Sequence, residues 1–208
     1  MDALDALLTR RSSPRLTTPA PNDEQLNLLI SAALRAADHA LLRPWRFLSI
    51  SGEGLDKLGA LFVQAEHAAG RSLSEEDRQK LSAKPHRAPL IIVAIACLKE
   101  HDKVPLIEQE YSAAAGVQCL SLAAYAMGLG AMWRTGSKAY DETVRSGLGL
   151  TSAEKIIGFP LSGHALRTAQ RARATRSQRV FNALEISVTL QQLGILSLLR
   201  IEAPHCLA

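Results

Sequence analysis

The sequence predicts an α+β chain, and three observations carry that expectation. Segments with helical and with strand periodicity follow one another in mixed order, without the regular alternation of a βαβ series. Aromatic residues make up only 4% of the chain, so the core must be built from Ala, Leu and Ile. That favours helices packed closely on a sheet over a β-sandwich. One run, Leu90 to Cys97, is apolar without interruption, the pattern of a central strand buried on both faces. A chain of 208 residues, 47% of them apolar, suits one folded domain, or one domain with a tail, and needs no metal or disulfide to hold it together.

The elements follow in order. Leu4, Leu7 and Leu8 have i, i+3, i+4 spacing and mark a short first helix that must end before Pro14. Asn22 and Gln25 have the spacing of a capping box, and Leu26, Leu29, Ile30, Ala33, Leu34 and Ala37 form one stripe on a second helix. Arg46 to Ser51 alternates and reads as a strand. Leu55, Leu58, Leu61 and Phe62 mark a third helix, and Ser74 opens a short fourth one. After the strand at Leu90 comes a long helix, Ile107 to Gly128, almost uncharged beyond Glu110 and rich in alanine. A helix this smooth must be covered on most sides, by a core or by a second subunit. Ala131 to Thr135 reads as a strand, Asp141 to Gly147 as a short helix, and Glu154 to Phe159 as a last strand.

Several function classes are excluded or disfavoured. Cys97, Cys119 and Cys206 are odd in number and widely spaced. They form no zinc pattern or disulfide framework, and reduced thiols in a cytoplasmic protein are the simplest expectation. The N-terminus carries no apolar signal region, and no run of about 20 apolar residues is available to span a membrane. The formal charge of +4 sits entirely in residues 161–208, where Arg167, Arg171, Arg173, Arg176, Arg179 and Arg200 face only Glu185 and Glu202. The rest of the chain is balanced, so the charge describes a tail and not a nucleic-acid-binding domain. There is no Gly-x-Ser-x-Gly elbow, no phosphate-binding Walker loop and no His-Glu-x-x-His. Chemistry without an obvious nucleophile–base pair points to a cofactor.

Three clusters could hold one. Arg10, Arg11, Ser12 and Arg15 offer guanidinium forks and a hydroxyl at a helix end, which suits a phosphate monoester. Taken alone, a solvated basic helix end accounts for them better. Arg35 to His39, followed by Arg43-Pro44-Trp45-Arg46-Phe47, joins a helix end, a histidine and a rigid corner, although a capping histidine and a packing tryptophan would look the same. Gly128-Leu129-Gly130 precedes Ala131-Met132-Trp133-Arg134-Thr135-Gly136, where glycines allow a flat ligand to approach the backbone. It is not a dinucleotide fingerprint, because no helix follows Gly130.

In sequence order these clusters resemble the nitroreductase family, most closely its small YdjA-like branch. The resemblance rests on the opening Met1 to Leu4 through Arg10-Arg11-Ser12, on Arg35-Ala36 with Asp38-His39, and on Pro44-Trp45-Arg46-Phe47. Arg87-Ala88-Pro89-Leu90-Ile91-Ile92, Lys103-Val104-Pro105 with Glu108-Gln109-Glu110, and Trp133-Arg134 with Gly136 extend it. It covers residues 1 to about 159. It implies a central, mainly antiparallel sheet flanked by helices, in a homodimer with flavin mononucleotide (FMN) at the subunit interface. It also implies a ping-pong oxidoreductase cycle, in which NADH or NADPH reduces the flavin and an electron-poor small molecule, such as a nitroaromatic or quinone, reoxidises it. By position, Arg10, Arg11 and Ser12 would hold the phosphate and ribityl end. Arg35 and His39 would reach the flavin of the other subunit, and Trp133, Arg134 and Thr135 would line the isoalloxazine. Ala123, Ala124, Tyr125, Ala126, Met127 and Gly128 would lie near the nicotinamide nucleotide. Hydride passes through flavin N5, so no protein residue is assigned as a catalytic acid or base.

The resemblance stops at Phe159. Relatives continue Leu-Tyr-Leu-Gly-Thr-Pro, whereas this chain reads Pro160-Leu161-Ser162-Gly163-His164-Ala165. One permitted coding of Gly158 to Ala165, GGT TTC CCT TTA TCT GGG CAC GCC, yields the family's residues when a single C is removed after TTC. The expectation is therefore a domain over residues 1–159 and a divergent basic tail over 160–208, frameshifted and poorly ordered, with Pro160 interrupting the last strand. A flavin-binding protein with impaired or no turnover is the alternative that such a tail would leave.

Overall fold

The computed structural model describes residues 1–165. The expected disorder of the tail, its arginines and Cys206 all lie outside the described residues. The fold is α+β: an antiparallel five-stranded sheet with helices on both faces. The strands are β1 (Leu16–Thr17), β2 (Trp45–Ser51), β3 (Leu90–Cys97), β4 (Gly130–Arg134) and β5 (Glu154–Ala165). They run in the order β1-β5-β3-β2, and β4 also pairs with β5.

The alternating side chains of β3 supply both cores. Ile91, Val93 and Ile95 enter one apolar cluster with Leu55, Leu58 and Phe62 of helix α3 (Glu53–Ala68), Leu81 of α4 (Glu75–Ser82) and Val144 of α6 (Glu142–Gly147). Leu90 and Ile92 point the other way. They meet Leu29 and Ala33 of α2 (Asp23–Ala33) and Leu120 and Ala124 of α5 (Leu106–Ala126). A strand with this period of two must be apolar at every position.

Local chemistry sets the helix ends. The capping box of α2 forms both ways, with Asn22 accepting from the Gln25 backbone and Gln25 accepting from that of Asn22. Ser74 and Asp141 cap α4 and α6. Helix α5 ends in a Schellman motif: Leu129 N–H reaches the Ala124 carbonyl at 2.9 Å, and Gly128 N–H reaches that of Tyr125 at 3.0 Å. Gly128 takes φ 75°, as that turn requires. Gly116 lets α5 approach α2 closely, since a Cβ there would lie 3.2 Å from the Ala33 carbonyl oxygen. Helix α1 (Ala3–Thr9) buries only Ala6, and its leucines at 4, 7 and 8 are 62, 58 and 79% exposed. Their stripe faces away from this chain's core.

The last strand departs from expectation. Pro160 does not interrupt it: β5 runs on to Ala165, pairs with β3 as far as Ser162 and with β4 from Phe159 to Gly163. A proline removes one ladder donor but no acceptor, and partners on both sides carry the strand past it. A register shift opposite Ile156 and Gly158 lies just upstream. Ser162 fits less well. It is fully buried, and its hydroxyl has no hydrogen-bond partner among the described residues.

Two ion-pair groups tie separate elements together. Arg46 on β2 grips Glu154 on β5 with two bonds of 2.5 and 3.1 Å. Glu66 of α3 binds both Arg71 and Lys138. The side-chain bond from Arg46 holds the Glu154 carboxyl at about 2, and the bonds from Arg71 and then Lys138 do the same for Glu66. Burial, together with the bond to Glu154, pushes the Cys97 thiol up to about 11.

Two outcomes follow for stability. A buried hydroxyl without a partner costs on the order of 1–3 kcal/mol, so Ser162→Ala should raise the urea midpoint, by about 1 kcal/mol in unfolding free energy. An unchanged or lower midpoint would mean that the hydroxyl is satisfied. Both glutamates have folded pKa values below their ordinary 4.5, so their stabilisation is complete above that value and is lost as pH falls towards 2. Glu154→Gln should therefore be less stable than wild type at pH 6, with the gap narrowing below pH 4.5 and closing only as pH falls through about 2, in parallel denaturant titrations.

Candidate functional site

The segment after α1 is stitched to the end of α5 and the start of β4. Arg10 leaves the helix in extended backbone (φ −52°, ψ 134°), and its N–H still bonds the Ala6 carbonyl. Ser13 N–H donates to the Ala131 carbonyl at 2.9 Å, and the Tyr125 hydroxyl donates to Thr9 Oγ1 at 3.1 Å. Arg10, Arg11 and Ser12 therefore stand beside the last turn of α5 and the first residues of β4. Arg11 and Ser12 are exposed and Arg10 half-buried. Two guanidinium groups and a hydroxyl gathered at one end of a sheet have the chemistry to hold an anion.

The third cluster continues from there. Trp133 donates its Nε1–H to the Ile157 carbonyl at 3.2 Å and lies across Gly158, where a Cβ would come within 2.1 Å of the indole nitrogen. Arg134 is half-buried, and its Nε is buried with no partner among the described residues. Such an orphan donor needs an acceptor that the described residues do not provide. Thr135 is exposed, and Gly136, just past the strand, takes φ 106°. At both Gly128 and Gly136, no atom of the described residues lies within 4 Å of where a Cβ would be. Within Ala123 to Gly128, the Ala124 side chain is turned into the core, Ala126 and Gly128 are exposed, and Ala123, Tyr125 and Met127 are half-buried.

The second cluster lies elsewhere. His39 sits in a single turn of 3-10 helix, His39–Leu41, and its Nδ1 is 2.9 Å from a Glu108 carboxylate oxygen in the first turn of α5. Arg35 is exposed just past α2. Tyr125, beside the anion cluster, is seventeen residues further along α5 than Glu108. At about 1.5 Å per residue the two ends stand about 25 Å apart, more than one mononucleotide spans. His39 is thus not brought to Arg10, Arg11 and Ser12 within one chain. The corner at Pro44-Trp45-Arg46-Phe47 is structural: Arg46 is committed to Glu154, and Pro44 accepts from Cys97 N–H.

Two partners escape sequence reasoning. Glu108 is visible there only as part of a motif, and its bond to His39 joins residues 69 apart. Asp38 has no role legible in its own segment, yet its carboxylate accepts the Arg43 N–H at 2.7 Å. Among the described residues, no group of three or more His, Cys, Asp or Glu side chains is placed to hold a metal ion, and no helix is long and apolar enough to cross a membrane.

Comparison with known proteins agrees with this architecture. Residues 7–164 match the model of the Nitroreductase family. YdjA of Escherichia coli (strain K12), which carries the name of an NAD(P)H nitroreductase, is 42% identical over 159 residues, 76% of this chain and 86% of its own. A Haemophilus influenzae protein of similar name is 37% identical over 172 residues, 82% of this chain and 92% of its own. Among solved structures, a nitroreductase-like protein from Bacillus cereus superposes with TM-score 0.76 at 24% identity, covering 89% of this chain and 97% of that one. A Bacteroides fragilis nitroreductase with bound FMN superposes with TM-score 0.68 at 19% identity, covering 89% and 100%. With a family model matching most of its length and a 42% identical relative over three quarters of it, the chain belongs to the Nitroreductase family.

Proposed function

We propose that this protein is an FMN-dependent oxidoreductase. It would take reducing equivalents from NADH or NADPH and pass them to an electron-poor small molecule such as a nitroaromatic or quinone. The observation that carries this reading is that Arg10, Arg11 and Ser12 are stitched beside the start of β4, and that the same strand ends in Arg134, whose Nε is buried and unpartnered among the described residues. The names of the YdjA relatives and the FMN bound to the Bacteroides fragilis neighbour support it. When bound, the flavin supplies the hydride chemistry. The chain supplies the cradle: Arg10, Arg11 and Ser12 for the phosphate, and Trp133, Arg134 and Thr135 along the ring. Ala123 to Gly128 border the nicotinamide, with Ala124 contributing backbone only.

The working form in this reading is a homodimer. The anion cluster and the His39 end lie about 25 Å apart along α5, so Arg35 and His39 would complete the site of the other copy. Exposed Leu4, Leu7, Leu8, Ile107 and Tyr111 give the two copies apolar surface to share. A second reading, a flavin binder without turnover, is favoured by the unusual composition of β5 beside the site, where Pro160 faces Trp133.

We further propose that residues 160–208 are read in a shifted frame. Support comes from Pro160 and Ser162 inside a central strand, one lacking a donor and one leaving a hydroxyl without a partner among the described residues. Sequencing the gene checks this: a single-base deletion near codon 160 should restore Leu-Tyr-Leu-Gly-Thr-Pro, and a gene in which none does so ends the idea.

The functional test begins with purified protein. It should bind FMN with absorbance near 450 nm, and anaerobic NADH or NADPH should bleach that band. Bound flavin that never bleaches would favour the second reading. Arg10→Ala and Ser12→Ala should each weaken FMN roughly tenfold through loss of a charge-assisted bond. In mixed dimers of an Arg10→Ala chain with a His39→Ala chain, one site should recover wild-type affinity while the other carries both lesions. Two equally weakened sites would place each flavin within one chain.

A further inference from the structure

The connection from α2 to β2 is strained at three positions, none of them glycine. Ala40, Leu41 and Arg43 have left-handed backbone, with φ of 61, 54 and 49°, where the Cβ of an L-residue crowds the following carbonyl. Such backbone persists only where its surroundings impose it, and it collects at sites that must hold a ligand partner still. Apolar packing does not impose it here: Ala40 is exposed, Leu41 is 77% exposed, and the chain is buried again only at Pro44.

Asp38 supplies the restraint. Its Oδ2 accepts the Arg43 backbone N–H at 2.7 Å, closing the loop from its first residue to its last. The other carboxylate oxygen is buried with no hydrogen-bond partner among the described residues. At the exit, Trp45 N–H donates to the Arg43 carbonyl at 2.8 Å, and the ties at Leu41 and Leu42 are weaker. Leu41 N–H reaches the Asp38 carbonyl at 3.4 Å, and the Lys99 ammonium reaches the Leu42 carbonyl at 3.3 Å, both long for a hydrogen bond. Inside this clasp sits His39, with Nδ1 held by Glu108 at 2.9 Å and its ring more than half exposed.

We infer that Asp38 is a positioning residue of the flavin site, whose carboxylate clasps a strained loop so that His39 is presented in one fixed orientation. The inference rests on the flavin reading above, in which His39 faces the cofactor of the partner chain. Without the clasp, Ala40, Leu41 and Arg43 fall back to ordinary backbone regions, and the histidine leaves Glu108. An asparagine can keep the acceptor, whereas alanine cannot. Glycine takes the left-handed region without steric cost, so glycines in the loop should replace part of what the clasp provides.

The test uses the full chain in four forms: wild type, Asp38→Ala, Asp38→Asn, and Asp38→Ala combined with Ala40→Gly and Leu41→Gly. Hydrogen exchange at the Arg43 amide is followed without flavin, and FMN affinity is followed by fluorescence. Asp38→Ala should speed exchange at Arg43 and raise the FMN Kd roughly tenfold, the loss of one hydrogen bond to a charged group. Asp38→Asn should stay within about threefold of wild type, since the neutral acceptor keeps about half of that bond. The glycine form should recover part of the affinity while Arg43 still exchanges fast, which a general loss of stability would not allow. Faster exchange in Asp38→Ala with unchanged FMN affinity overturns the inference, as does a glycine form no better than Asp38→Ala. Wild-type protein that takes up no FMN overturns the flavin reading itself, and is told apart because it fails before any substitution is made.

Discussion

Helix α5 is a rod of 21 residues that ties into the fold at both ends and through its middle. Its middle, from Gly116 to Ala124, packs on α2 and the sheet. The Glu108 end holds His39, and the Tyr125 end holds Thr9 at the close of α1. A helix cannot shorten by a few ångströms to bring its ends together. The separation of the two basic clusters is therefore fixed by a length, and no loop movement within one chain closes it. The near absence of charge beyond Glu110 lets this rod sit in a core. It also leaves Ala114, Ala115, Cys119 and Leu122 half-buried, on surface that this chain does not fully cover.

Much of this was legible in the residues. The uninterrupted apolar run from Leu90 to Cys97 marked a strand buried on both faces, and the Asn22–Gln25 pair marked where α2 begins, because both signals are local and physically complete. The three clusters were also legible as chemistry, but their grouping was not. Ser13 to Ala131 and Thr9 to Tyr125 join residues more than a hundred positions apart, and no periodicity reports such a pairing. His39 and Glu108 illustrate the same gap, since each looks solvated in its own segment.

The end of β5 shows where a local rule was outweighed. Proline is a poor strand residue because it lacks a donor, and on that rule the strand should have stopped at Phe159. It continues because Phe159, Leu161 and Ser162 pair with β4, while Leu161 and Ser162 also pair with β3. One missing donor is a small loss against a ladder held from both sides. The Ser162 hydroxyl, without a partner among the described residues, is a separate defect, costly because of the low dielectric of the core and not because of backbone geometry. Neither residue displaces Trp133 or Arg134 from the strand end next to them.

The indole of Trp133 rests on the bare backbone of Gly158, closer than any side chain at that position would permit. Over evolutionary time this makes two sites, 25 residues apart in the chain, share one constraint. A methyl group at 158 can be admitted only if a smaller ring or none stands at 133, and a tryptophan at 133 can be kept only while 158 stays bare. Drift can therefore run in one order only, with the tryptophan at 133 lost before any side chain appears at 158.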